Sequence, residues 1–246
     1  MEWMLMFELI DEKKRQLDQK RPLPTHTLRS IREHLIVNWT YHSNAIEGNT
    51  LTLSETKVAL EGITIGGKTI KEHLEVINHK EAILYVEDIV RRQEPLSEGQ
   101  IKSIHRLILK GIQDDFAGIY RKENVLISGA RHIPPDALQV PLAMKQFIQW
   151  YDSEGEQLHP VAKAAMVHSD FVKIHPFIDG NGRTARLLLN FELMKNGYPP
   201  IVVEKENRLA YYSALDDAHT TGDNTRFIAL VSDILSRTFD LYLKLV

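Results

Sequence analysis

The stretch His175-Pro176-Phe177-Ile178-Asp179-Gly180-Asn181-Gly182-Arg183-Thr184-Ala185-Arg186 runs straight into an apolar segment carrying Leu187, Leu188, Leu189, Phe191, Leu193 and Met194. The apolar segment reads as a buried helix, whose first turn points unpaired N–H groups and a positive dipole at the Gly-Asn-Gly turn before it. Gly180 and Gly182 let the backbone turn sharply and approach a ligand closely. Arg183 and Arg186 lie three residues apart, hence on one helix face, and both can fork onto phosphate oxygens. Two cations at a helix N-terminus oppose its dipole, so the segment calls for an anion. That anion is a nucleotide or, as argued below, Glu47. His175 supplies a group that titrates nearest neutrality and can accept a proton. Asp179 could cap the turn, hold a Mg²⁺ that also binds phosphate oxygens, or do both. The segment reads as a phosphate site.

Working outward, the dominant period is helical. Trp3, Phe7, Ile10, Lys14 and Leu17 form one stripe, ended by Pro22-Leu23-Pro24. A second helix is predicted from about Thr27 to Glu47, with Gly48 closing it. Thr52-Leu53-Ser54-Glu55 is a capping box that opens a short third helix, and Gly66-Gly67 separates it from a helix over about Ile70 to Arg92. Pro95 breaks the chain, Ser97 to Gln100 caps the next helix, and Asp136 with Gln139 starts another. Val161, Ala164, Ala165, His168 and Phe171 stripe the helix leading into the phosphate segment. The exception is residues 119–135, where Val125-Leu126-Ile127, a Ser128-Gly129 turn and Arg131-His132-Ile133 predict a β-hairpin. The fold expected is all-α, a helical bundle with one hairpin. Its organisation is an arm over residues 1–24, N-terminal helices over 25–95 and a core over 96–246, together one compact unit.

The phosphate segment resembles the signature of the Fic family, HPFx[D/E]GNGRxxR, at every fixed position. Similar stretches flank it: Leu158-His159-Pro160 to His168 before it, and Asn196-Gly197-Tyr198-Pro199-Pro200-Ile201 and Tyr211-Tyr212 to Leu215 after it. Ser43-Asn44-Ala45-Ile46-Glu47-Gly48 resembles the family's inhibitory motif, [S/T]xxxE[G/N], within residues 43–48. The resemblance covers about Leu28 to the C-terminus and is nearest to the class with an N-terminal inhibitory helix, metazoan AMPylators and their prokaryotic relatives. It implies the Fic fold, the hairpin serving as a flap over the active site. It implies transfer of AMP from ATP to a Ser, Thr or Tyr hydroxyl of a target protein. His175 would be the general base, and Asp179 would hold Mg²⁺ (or Mn²⁺). Asn181 with the amides of Gly180 and Gly182 would cradle the phosphates, Arg183 on the β and Arg186 on the γ side. Tyr211, Tyr212 and His219 would line the base pocket, although relatives carry an amide residue in place of His219. Val125, Leu126, Ile127 and Ser128 would offer a strand edge to the target. Ser43 and Glu47 would inhibit by pairing Glu47 with Arg186. Removal of AMP, with Glu47 orienting a water, and a non-catalytic nucleotide-sensing or toxin-antitoxin module are the alternatives.

Composition narrows the remaining classes. The 246 residues are 43% apolar, enough for a good core, and 30 basic against 33 acidic residues give a formal charge of -3. No basic block suggests nucleic acid, and the absence of cysteine removes thiolate and disulfide chemistry. Met1 to Ile10 carries Glu2 and Glu8 and lacks a basic leader, so neither signal peptide nor membrane span is expected, and a cytoplasmic location is. The partners expected are ATP and a target protein, without nucleic acid or membrane; a homodimer is compatible with that reading. Gly62-Ile63-Thr64-Ile65-Gly66-Gly67-Lys68-Thr69 fits the Walker A pattern, but helix caps and charges precede it where a buried strand must. It reads as an inter-helix turn. His168 and His105 fall on apolar stripes and read as core histidines.

Overall fold

Local caps and apolar spacing set where the helices begin and end. A computed structural model describes the backbone of residues 2–246 and side chains from residue 6 onward, so the side chain of Trp3 lies outside the described residues. The α-helices are α1 (Glu2–Gln19), α2 (Thr25–Ile46), α3 (Leu53–Leu60), α4 (Ile70–Arg91), α5 (Glu98–Leu109), α6 (Val140–Tyr151), α7 (Pro160–Ile174), α8 (Asn181–Lys195), α9 (Arg208–Thr221) and α10 (Thr225–Leu245). The capping box of α3 forms as predicted: Thr52 Oγ1 accepts from Glu55 N at 3.2 Å and Glu55 Oε2 accepts from Thr52 N at 2.7 Å. Thr69 and Glu72 make a second box at the start of α4, a Thr-x-x-Glu signal passed over in the sequence. Ser97 caps α5, and Asp136 caps a 3-10 turn over Ala137–Gln139 that leads into α6. No helix is long and apolar enough to cross a membrane.

Helices α7 and α8 pack against each other between two cores. On one side Leu187, Leu188 and Phe191 of α8 and Val167 and Phe171 of α7 meet Ile36, Ala82, Ile104, Val140 and Phe147. On the other, Leu189 and Leu193 of α8 and Val161, Ala164 and Ala165 of α7 meet Ile10, Ile46, Leu215, Phe227 and Leu235. Each such Leu or Phe contributes about 1.5–3 kcal/mol of burial, so the two helices carrying the phosphate segment are among the most firmly held elements. The arm is part of this packing: Ile10 and Leu17 of α1 are buried, and Lys13 Nζ reaches Ser236 Oγ (2.8 Å) and Asp240 Oδ1 (2.6 Å) on α10.

The hairpin expectation needs correction. Residues 119–135 contain the predicted turn, with Ala130 N donating to Ile127 O at 3.1 Å, but no strand is present among the described residues. Pro134 and Pro135 lack donors, and Leu126 (80% exposed) and Ile133 (69%) pack on no core, so two lone arms have little reason to form a ladder. Side chains tie the base instead: Arg121 Nη2 donates to Pro135 O at 2.5 Å, and Asn124 bridges Asp136 Oδ2 (2.9 Å) and Ala137 N (2.8 Å).

Candidate active site

The loop joining α7 to α8 is held from beneath. His175 ends α7 in the left-handed region (φ 50°), which is uncommon for a residue with a Cβ and turns the chain sharply into Pro176. Arg121 secures that turn, its Nε donating to His175 O at 2.8 Å and its backbone N to Pro176 O at 2.9 Å. His105 stacks on Phe177 with ring centroids 3.6 Å apart; its Nε2–H donates to Asp179 O (2.8 Å), while Gly118 N donates to its Nδ1 (2.8 Å). Burial holds the His105 imidazole down at about 4, which keeps it in this neutral tautomer. Asn181 closes the loop on Phe177, Oδ1 accepting from its N (3.0 Å) and Nδ2 donating to its O (2.9 Å). The Asn181 side chain therefore shapes the loop, with one bond from each of its polar atoms to Phe177. Sequence reasoning missed Arg121 altogether and saw His105 only as core. No local pattern marks either, because their partners lie 54 and 74 residues away.

The cationic end of α8 faces α2. Arg186 is 3% exposed; its Nη2 donates to Glu47 Oε1 (2.7 Å) and Ser43 O (2.9 Å), its Nε to Ser43 Oγ (3.0 Å) and its Nη1 to Tyr211 Oη (3.3 Å). Glu47 follows the last residue of α2, where Gly48 (φ +100°) turns the chain away. The same Glu47 Oε1 comes so close to Gly182 that a Cβ there would sit 2.3 Å from it. The carboxylate thus covers the first turn of α8, the place where helix dipole and two arginines favour an anion. Arg183 (2% exposed) lies beside Asp179 Oδ1 (3.3 Å) and Glu75 Oε1 (3.4 Å), and Gly180 N donates to Asp179 Oδ1 at 2.6 Å. Glu75, on α4, was not anticipated.

Burial brings the His175 imidazole down to about 4; a backbone contact at Val172 and the charges of Glu47 and Asp179 oppose that shift, and Arg121 adds to it. Of the expected base-pocket residues, Tyr211 is turned inward (1% exposed), whereas Tyr212 is 38% exposed with Arg208 over its ring at 5.2 Å. His219 is buried, its Nε2 against Ser169 O (2.9 Å) and its ring 5.2 Å from that of His132. The return arm of the 119–135 loop is clamped to α9: Arg131 Nε reaches Asp216 (2.6 Å) and Nη2 reaches Asp217 (2.7 Å). Val125, Leu126, Ile127 and Ser128 lie on the outgoing arm and pair with no strand among the described residues.

The Walker-like stretch takes no part in this site. Residues 62–69 connect α3 to α4, and Lys68 Nζ donates to Thr50 O (2.7 Å) and Thr50 Oγ1 (3.1 Å), with Glu55 at 3.6 Å. Lys68→Ala is expected to leave ATP affinity within about twofold, since a lysine stapling a turn offers nothing to phosphate; a true P-loop lysine would cripple binding. Calorimetric titration with ATP decides, and a collapse of affinity would move the nucleotide site to this turn.

A profile of the Fic/DOC family matches residues 95–193. The protein adenylyltransferase Fic of Drosophila mojavensis is 37% identical over 245 residues, covering 96% of this chain and 48% of that one. The chain therefore spans about half the length of the curated relatives it matches. Among solved structures, Fic-1 (residues 134–508) of C. elegans superposes with a TM-score of 0.87 at 31% identity, over 98% of this chain and 72% of that one. A Fic-domain-containing signalling protein of Bacteroides thetaiotaomicron superposes with a TM-score of 0.88 at 31% identity, over 96% and 97% of the two chains.

Proposed function

The chain belongs to the Fic/DOC family, and from that premise we propose that it is a protein adenylyltransferase held in check by Glu47. The observation that carries the reading is the carboxylate of Glu47 lying 2.7 Å from Arg186 over the first turn of α8, an anion already in the anion's place. The curated relatives that match the chain are named protein adenylyltransferases, which supports the reaction class. In the proposed reaction the hydroxyl of a target Ser, Thr or Tyr attacks the α-phosphorus of ATP. The new O–P bond forms as the bond to the bridging oxygen breaks, and pyrophosphate leaves with that electron pair. His175 takes the hydroxyl proton, and the amide of Gly182 with Arg183 and Arg186 holds the triphosphate in line, the Gly180 amide being taken by Asp179 Oδ1. Tyr212 offers the exposed ring for the adenine, with His219 behind it. The unpaired backbone of Val125 to Ser128 would lend an edge to the target segment.

The donor set suits a divalent metal shared with the nucleotide. Among the described residues no group of three or more acidic or imidazole side chains forms a cage. Asp179 offers one carboxylate at the loop, and Mg²⁺ or Mn²⁺ characteristically completes such a site with phosphate oxygens and water. When bound, the ion would neutralise phosphate charge. Removal of AMP is the second reading, favoured by one observation: the Glu47 side chain remains 31% exposed beside Arg186, so its carboxylate could orient a water for attack.

Incubation with ATP labelled in the α- or the γ-phosphate tests the proposal. Label from the α-phosphate should enter protein and label from the γ-phosphate should not; the opposite pattern would make the enzyme a kinase. The pH profile gives a second check. With His175 held at about 4 by burial, the imidazole is neutral near pH 7 and free to accept a proton. The ratio kcat/KM, which reports the free enzyme, is therefore expected to stay flat from about pH 7 to about pH 5 and fall below that. An acid limb with its midpoint near the ordinary imidazole value of about 6.5, while the circular dichroism stays constant, would show that burial does not depress His175, whereas an acid limb that persists unchanged in the residual activity of His175→Asn would remove His175 from the role of base.

A further inference from the structure

Arg186 is held from two directions. Ser43 and Glu47, both from the α2 side, take Nε and Nη2, whereas Nη1 donates to Tyr211 Oη on α9. If Glu47 leaves, the contact that survives outside α2 is the one to Tyr211. That hydroxyl has a further partner, His168 Nε2 on α7 at 2.8 Å, and His168 is 0% and Tyr211 1% exposed.

The protons in this chain can be assigned by counting what is satisfied. A guanidinium only donates, so the tyrosine oxygen accepts from Arg186. Its own proton then goes to His168 Nε2, which requires the His168 proton on Nδ1, an atom with no hydrogen-bond partner. The reverse tautomer would leave two groups unsatisfied, the tyrosine proton and Nδ1, and each buried orphan is costly. Burial, with the charges of Arg186 and His219 adding to it, keeps His168 well below its ordinary value and hence neutral. Burial likewise pushes the Tyr211 hydroxyl up to about 12, so its proton stays in place. Phe227 of α10 packs against both rings, at 5.0 Å from His168 and 6.0 Å from Tyr211. The chain His168–Tyr211–Arg186 is thus built from α7, α9 and α8, without a residue of α2.

We infer that Tyr211 and His168 are positioning residues that hold the Arg186 guanidinium at the terminal-phosphate position once the α2 carboxylate is withdrawn, and so set the preference for a nucleoside triphosphate over a diphosphate. The inference rests on the placement of ATP proposed above. It also moves Tyr211 from the base pocket, where its inward-turned ring offers no face, to the layer behind the arginine.

Calorimetric titration with ATP and with ADP, in Mg²⁺, tests it in a Glu47→Gly/His175→Ala protein, which binds without turnover. This parent should favour ATP. Adding Tyr211→Phe should weaken ATP about tenfold, the worth of one hydrogen bond to a charged group, and leave ADP within about twofold. Adding His168→Gln, which keeps an acceptor for the tyrosine proton, should retain most of the preference, and His168→Leu should lose it. A parent without preference for ATP would overturn the placement of Arg186 on the terminal phosphate, and the inference with it. A parent that prefers ATP, with Tyr211→Phe weakening both nucleotides equally or neither, would overturn the inference alone. Should Tyr211→Phe fail to give a cooperative thermal melt, the His168 pair decides by the same ratio.

Discussion

Glu47→Gly is expected to raise AMP transfer, including transfer onto the protein itself, by about a hundredfold, the scale on which a misplaced reacting group slows a reaction. The carboxylate accepts from Arg186 at 2.7 Å and lies against Gly182, so a γ-phosphate cannot occupy the same volume. On the proposed placement, ATP that binds beside it would hold its α-phosphorus out of line with the attacking oxygen. With the carboxylate gone, Arg186 meets a phosphate, which carries more charge and presents acceptors to both arms of the fork. The gain should therefore lie in rate more than in nucleotide affinity. Stability gives a second readout. Arg186 is 3% exposed, and taking away one partner of a buried pair leaves a charge uncompensated. Ser43 and Tyr211 soften that loss, and the Glu47 side chain is itself 31% exposed, so only a modest drop in Tm is expected. MgATP should then raise Tm more in Glu47→Gly than in the parent. Arg186→Ala added to Glu47→Gly should abolish the gain in transfer, since both act through one contact. Equal auto-AMPylation by the parent and Glu47→Gly would show that the end of α2 does not inhibit.

The converse loss is expected for His175→Ala in the Glu47→Gly background: transfer should fall by roughly 10² to 10⁴-fold, the usual worth of a positioned base. Nucleotide affinity should barely change, because in the proposed reaction the imidazole acts on the incoming hydroxyl and not on the phosphates. The backbone adds a complication with a remedy. His175 sits at φ 50°, a region that strains alanine and that asparagine tolerates better. His175→Asn should therefore fold as well as the parent and be as inactive as His175→Ala. A radiolabel transfer assay beside calorimetric ATP binding reads both quantities. Transfer at the parent rate in either variant would sink the assignment of the base.

The loop over residues 119–135 marks where sequence pattern misled. Val125-Leu126-Ile127 and Arg131-His132-Ile133 flank a Ser128-Gly129 turn as the arms of a hairpin would, and the turn forms. Strand pairing depends on a covered face as much as on propensity, and Leu126 and Ile133 are left in solvent. The arms instead take their course from Arg121 at the base and from the Arg131 clamp on Asp216 and Asp217.

What the sequence by itself determined is what neighbours within four residues can encode. The α3 capping box, the apolar stripes, the Gly180-Asn181-Gly182 turn and the facing of Arg183 with Arg186 are of this kind, because helix geometry places side chains three and four apart on one face. Only the tertiary structure decided which groups meet across helices. It places His105 beneath Asp179 over 74 residues of chain, and it makes the contact of Glu47 with Arg186 over 139, a pairing that only the family resemblance had implied. It turns Tyr211 inward onto Arg186 and His168 while leaving Tyr212 exposed, although the two are adjacent in sequence. The physical reason is that such contacts are chosen by packing. Burying the faces of α7 and α8 between two cores fixes their angles and offsets, and those offsets choose each buried charge's partner.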